Sequence, residues 1–245
     1  MREGFKTFTG PDPREFSDSP EDIMGERERT FNAYNLRCLE GVELAGNWDI
    51  PVLRPCDAVP DDLIDFGLVK SAKSIDRRRL GVHFFIDDYR FERVWRHPEA
   101  YVNMLMPFRC VLSPDFSLYS DMPLAQQMHN VYRSRLIGAY WQRHGMSVIP
   151  TLQWSTPESY SFAFEGLPKH SVLAASTLGV LNDRCALALW RRGMDEAINR
   201  LDPQLILLYG KPVPGFDREP VGLLRYGNHG IERVKAWEAG ARRAG

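Results

Sequence analysis

The sequence lacks the glycine-rich signatures of nucleotide enzymes. Gly210-Lys211-Pro212 has neither the upstream glycine nor the Ser/Thr of a phosphate-cradling loop, so ATP hydrolysis by a P-loop is excluded as far as motif goes. Neither GxGxxG nor GxSxG occurs. The cysteines, Cys38, Cys56, Cys110 and Cys185, form no CxxC pair, and the histidines form no HxH or HxxxH pair. Zinc chemistry and HUH-type nicking are therefore unsupported, and the cysteines read as buried small hydrophobes in a reducing cytoplasm. Charge of one sign is missing too. Lys+Arg number 31 and Asp+Glu 32, which rules out a generally basic nucleic-acid coat protein and a polybasic membrane binder, but not a local basic groove. No apolar run approaches a membrane span, and the first 25 residues hold no signal-peptide core. These absences predict a cytoplasmic protein without membrane partners. No internal repeat or low-complexity tract is present.

What remains is an ordinary globular composition, 44% apolar and 26% charged over 245 residues. Residues 1–45 read as an arm, perched on Phe5, Phe8 and Phe16, followed by a short helix over Glu26–Leu39. Residues 46–228 read as one β/α domain, and 229–245 as a basic helical tail. Within the domain, apolar runs alternate with helical stretches. Asp49–Leu53 predicts a weak strand, and its Pro51 points to an edge position or a strand start. Asp61–Leu68 predicts a short helix, Leu80–Ile86 a strand, Pro98–Met106 a helix, and Cys110–Leu112 a strand. Met122–His144 is the clearest helix, with Asp121 as N-cap, Pro123 in its first turn and Gly145 as its stop. Strands over Met146–Leu152, Ser171–Ala175 and Leu205–Tyr209 follow, with a short helix over Glu158–Phe164. A longer helix over Asn182–Leu201 takes its buried stripe from Leu181, Cys185, Ala188 and Leu189. This alternation argues for a parallel sheet. The expected architecture is an incomplete or degenerate β/α barrel, with an open doubly wound sheet as the alternative.

In either architecture, chemistry sits beyond the carboxyl ends of the strands. The unusual residues gather there. Asp87 and Asp88 follow one strand, Asp115 and Asp121 the next, Trp154 the third, Ser176 the fourth and Lys211 the fifth. Strand ends also meet water, so polar loops need no function. Successive strand residues face opposite ways, so only one of Asp87 and Asp88 can face a pocket, leaving the other as a structural acceptor. Two carboxylates about 5 Å apart repel by about 3 kcal/mol at an effective dielectric near 20. Such a pair shares a proton, is bridged by a cation such as Mg²⁺, or is neutralised by a basic side chain. The first suits acid/base or glycosyl-transfer chemistry, the second phosphoryl chemistry, and the third is structural. On the long helix, Gln126, Asn130, Arg133 and Trp141 share a face, while Leu124, Met128 and Val131 form an adjacent packing stripe. Gln126, Asn130, Arg133 and Lys211 are candidate binding groups, and the helix N-terminus favours anions. Pairing of Arg133 and Arg135 with neighbouring acids is the plainer alternative. Trp154 is a candidate stacking surface for a base or sugar, or a core residue. His83, inside an apolar strand, reads as a satisfied core residue.

Several motifs recur in order across Val82–Gly179: FFIDDYRFERVW, VLSPDFSLYSDMP, NVYRSRLIGAYWQ and VIPTLQWS. This stretch resembles an uncharacterised bacterial domain family of unknown function found in phages, plasmids and integrative elements. The resemblance implies a mobile-element setting and carries no catalytic residues. Together these features point to a hydrolase or transferase with catalytic Asp87, Asp88 and Asp115, acting on a nucleotide, nucleic acid or glycosylated base. The alternative is a non-catalytic DNA- or protein-binding accessory protein.

Overall fold

The computed structural model describes residues 6–7, 29, 31–71, 76–216 and 221–227. The arm expected over 1–25, apart from Lys6 and Thr7, lies outside the described residues, as does the tail expected over 230–245.

Among the described residues, three sheets are formed. In the first, β1 (Lys6–Thr7), β2 (Glu43–Ala45) and β3 (Ile50–Pro51) run antiparallel in that order, and Pro51 sits in the edge strand where its missing N–H costs no ladder bond. The second holds β4 (Asp62–Asp65), β5 (Leu80–His83), β6 (Cys110–Leu112) and β7 (Val148–Ile149) in chain order, all parallel. The third holds β8 (Val172–Ser176), β9 (Leu205–Tyr209) and β10 (Gly222–Tyr226), also parallel and in chain order. A parallel bridge from Thr151 to Ala174 connects β7 with β8. The fold is mixed α/β with two parallel sheets.

Strand alternation divides the apolar residues into two sets. Leu63, Cys110, Leu112, Ile149, Val172, Ala174, Leu207, Tyr209 and Tyr226 join one cluster with Phe85. Ile64, Val82, Val111 and Val148 face the opposite way and pack with Val94, Leu105, Ile137 and Trp141. Leu173, Ala175, Ile206 and Leu208 likewise meet Trp190, Met194, Ala197 and Leu201. Each fully buried Leu, Val or Ile contributes roughly 1.5–3 kcal/mol, so both faces of the sheets are needed. His83 is buried against Tyr209, with ring centroids 4.2 Å apart, and its Nδ1 accepts from the Phe85 N–H. Its Nε2 has no partner, so His83 is only half satisfied. Burial, aided by Arg90, pulls its pKa down to about 3 and keeps the ring neutral.

The helices from residue 80 onward are α1 (Glu92–Arg96), α2 (Val102–Leu105), α3 (Leu124–Arg143), α4 (Tyr160–Ala163) and α5 (Arg184–Leu201). Helix α3 stops at Gly145, whose φ of 83° is the left-handed conformation a helix C-terminus requires.

Several expectations need correction. Asp61–Leu68 is a strand followed by a 3-10 turn, because Leu63 and Ile64 are buried on opposite faces while Asp62–Asp65 pairs with β5. Asp121 does not cap α3; it is exposed, and Pro123 occupies the cap position with no side-chain cap bond. Leu124 is exposed instead of packed, and Trp141 is buried in the core. In α5 the buried stripe is Trp190, Met194, Ala197 and Leu201, whereas Ala188 and Cys185 are exposed. Within the expected Glu26–Leu39 helix, the described residues 29 and 31–33 are helical, but Asn35 takes a positive φ of 56° and Leu36–Leu39 is a 3-10 turn. Strand β10 was not expected at all.

Candidate functional site

A cavity of about 570 Å³ opens at the carboxyl ends of four consecutive parallel strands. Its walls come from Phe85–Asp87 after β5, Asp115–Ser120 after β6, Leu152–Ser155 after β7 and Ser176–Val180 after β8, with Ala186, Leu189 and Trp190 of α5. That volume is within the roughly 300–1,000 Å³ typical of small-ligand pockets.

Of the expected site residues, Asp87, Asp115, Trp154 and Ser176 line this cavity. Asp88 does not. Its carboxylate accepts from the Ser117 N–H at 3.0 Å and the Ser117 hydroxyl at 2.8 Å, tying the loop after β5 to the loop after β6. Asp87 and Asp88 therefore do part company, though at the start of a 3-10 turn and not within a regular strand. Asp121, Gln126 and Lys211 are exposed and off the lining. Gln126 donates to the Asn130 Oδ1, and Asn130 donates to the Ser117 carbonyl at 2.7 Å. Arg133 is buried, paired with Glu92 at 2.9 Å and bonded to Asn130 at 2.7 Å. Its guanidinium lies 3.9 Å from the centroid of the Phe116 ring, so it meets the cavity only through the back of that ring.

The Asp115 carboxyl makes no hydrogen bond or ion pair among the described residues. It is half-buried, opening on the cavity and otherwise enclosed by protein. Burial is the main reason its pKa is pushed up to about 8; Asp88 adds repulsion and Arg135 opposes it. At neutral pH this carboxyl holds a proton that it can donate.

Arg135 was read only as a partner for neighbouring acids, yet it is the hub of the support. Fully buried, it donates to the Ala163 carbonyl at 2.9 Å, the Thr151 carbonyl at 3.2 Å, and the Glu165 carbonyl and Gln153 Oε1 at 3.4 Å. Gln127, also from α3, donates to the Tyr119 and Met122 carbonyls and accepts from the Ser155 hydroxyl. Helix α3 thus holds the loops after β6 and β7 through its own polar side chains. Sequence reading missed Gln127 and Trp190. For Gln127 the one available signal was a long helix carrying more polar side chains than one exposed face can hold.

Trp154 is fixed by packing on Trp190 and Phe164 and by donation of its indole N–H to the Leu189 carbonyl. It lies directly against Gly193, where an added Cβ would overlap the indole. Gly193→Ala gains roughly 1 kcal/mol of helix propensity but loses about 1–3 kcal/mol to overpacking. The net expectation is a lower melting temperature and a displaced indole, read from quenched or shifted tryptophan fluorescence.

No three His, Cys, Asp or Glu side chains among the described residues are arranged to hold a metal ion. Both Asp88 oxygens accept from Ser117.

Residues 42–227 match the family model described as Domain of unknown function (DUF4417). The chain belongs to this family. The DUF4417 domain thus spans every strand from β2 to β10 and the whole cavity. Among curated proteins, the chain is 41% identical over 181 residues to the "Gene 1 protein" of Mycobacterium phage L5, covering 74% of this chain and 78% of that protein. It is 40% identical to the "Gene 1 protein" of Mycobacterium phage D29, covering 66% of that protein. No solved structure gives a significant match. Among the described residues, no helix is long and apolar enough to cross a membrane.

Proposed function

We propose that this DUF4417 protein is an enzyme, a hydrolase or transferase, in which Asp115 moves a proton to and from a small ligand held in the cavity. One observation carries the reading: a carboxyl without a hydrogen-bond partner among the described residues, on the wall of a ligand-sized cavity, where burial favours its protonated form. A carboxylic acid there can protonate a leaving group, and the resulting carboxylate can take a proton from an attacking water or hydroxyl. Asp87, on the same lining, is the second carboxyl available to such a reaction.

The architecture proposed with it is an incomplete β/α barrel. Supporting it are the chain-order succession from β4 to β10, the Thr151–Ala174 bridge, and a cluster that draws on both sheets. The Tyr226 hydroxyl, at the end of β10, donates to the Pro60 carbonyl just before β4 at 2.7 Å, bringing the last strand to the first.

The test is turnover of nucleosides, aryl glycosides and phosphodiesters by the full chain, followed chromatographically. Asp115→Asn should lower the rate at least about a hundredfold, and the wild-type rate should fall above about pH 8 as the acid ionises. Unchanged turnover in a folded Asp115→Asn protein overturns the reading. So does a wild-type protein that neither turns over nor is stabilised by any of these compounds. The exposure of Tyr119 (62%), on the lining, favours the second reading, an accessory protein docking a partner there.

A further inference from the structure

The chemistry of the lining narrows what the cavity takes. Among the described residues, no Lys, Arg or His side chain lines it, and its carboxyls are Asp87 and Asp115. The nearest buried cations are turned to other work, Arg135 on loop carbonyls and Arg133 on Glu92 and Asn130. A helix N-terminus does reach the wall, at Ala186 of α5. Its amides are already capped: the Asp183 carboxylate accepts from the Cys185 N–H at 2.6 Å and the Ala186 N–H at 2.9 Å. A negative charge therefore stands where a phosphate would otherwise be drawn.

The neutral polar groups are also largely committed. The Ser117 and Ser155 hydroxyls donate to Asp88 and Gln127. The Gln153 amide donates to the Phe116 carbonyl at 2.7 Å and accepts from Arg135. A sugar presents hydroxyls all round its ring and needs many free partners. A flat heteroaromatic ring needs apolar faces and one polar edge. Aromatic side chains line it, Phe85, Phe116, Trp154 and Trp190, and an edge partner is Asp115, with Asp87 a second carboxyl on the same lining. A protonated carboxyl offers one O–H donor and one C=O acceptor side by side, matching the adjacent ring-nitrogen acceptor and N–H donor of a base edge.

We propose that the cavity binds an uncharged nucleobase, free or as its nucleoside, through the Asp115 carboxyl, and rejects both the phosphorylated forms and simple sugars. This deepens the acid/base reading above and rests on the same pocket.

Calorimetric titration of the full chain at pH 6.5 tests it, using free nucleobases, nucleosides, nucleoside 5′-monophosphates, ribose and glucose. At least one base or nucleoside should bind, its 5′-monophosphate at least tenfold more weakly, and neither sugar measurably. Asp115→Ala should abolish binding, pH 9.5 should weaken it tenfold or more, and Asp87→Asn should narrow the gap between nucleoside and monophosphate. A monophosphate bound as tightly as its nucleoside, a sugar bound in place of any base, or no binding across the panel overturns the proposal. The two readings fail separately. A nucleoside that binds through Asp115 but is returned intact after prolonged incubation leaves this proposal standing and removes the enzyme. Asp115-dependent cleavage of a sugar glycoside that carries no base does the reverse.

Discussion

At pH 8, Asp115→Asn should unfold at a higher temperature than the wild-type protein while having lost its ligand. The two effects share a cause. The wild-type carboxyl has a native pKa of about 8 against an ordinary value of 3.8, chiefly because it is enclosed by protein. Between those values the unfolded chain releases the proton and the native chain retains it. The native state then binds more protons than the unfolded one, so stability falls as pH rises through this window and levels off above about pH 8. Asparagine removes that dependence and keeps nearly the same shape. The gain at pH 8 is about 2 kcal/mol, well below what the full displacement implies, because the carboxyl opens onto cavity water. In a chain of this size that is roughly 4–8 °C in melting temperature. The gain should shrink toward pH 4 and vanish below it. Differential scanning calorimetry at pH 4, 6 and 8 reads this directly. A variant that is less stable than wild type at pH 8, or whose advantage ignores pH, means Asp115 has a structural partner and is no poised acid. A site kept at a cost in stability is the pattern expected where a group is retained for function.

The location of the cavity was legible in the sequence because the strands on its walls are short apolar runs with abrupt polar ends. LILLY and SVLAA need no partner information to be read as strands buried on both faces, and their order fixes which ends share a rim. Asp115 and Trp154 follow directly from that. The errors have physical reasons as well. Asp62-Leu63-Ile64-Asp65 is too short for its period to be measured, and it is a strand only because β5 lies beside it. Gly222–Tyr226 carries an exposed Leu224 and Arg225, so it looks like a surface loop, yet it pairs residue for residue with β9. Asn130 and Arg133 expose a deeper ambiguity. A polar side chain on a helix face looks the same in sequence whether it meets a ligand or a loop carbonyl. Here both are committed within the protein, Asn130 to Ser117 and Arg133 to Glu92 and Asn130. The polar stripe that resembled a binding surface is committed to holding the loops around the cavity.

That scaffold supplies the other large effect, at Arg135. Arg135→Met conserves length and apolar bulk but deletes every donor the guanidinium provides. The Ala163 and Thr151 carbonyls lose charge-assisted bonds at 2.9 and 3.2 Å in an interior where no solvent reaches Arg135. Breaking a buried charged network from one side costs about 3–5 kcal/mol. A drop of roughly 6–20 °C in melting temperature follows for a domain of this size. Arg135→Lys keeps the charge but not the planar fork, so it cannot span carbonyls from the β7 loop and from α4 together, and its loss should fall between wild type and Met. Charge has a second consequence. Arg135 is the group that opposes the upward push on Asp115, so in the Lys variant the acid should titrate near its wild-type value, and in the Met variant higher. Proton-linked stability separates the two roles: the pH window over which stability falls should extend upward in Arg135→Met and stay in place in Arg135→Lys. If Met costs less than 1 kcal/mol, the carbonyls find other partners, and α3 is not what holds the loops around Asp115 in register.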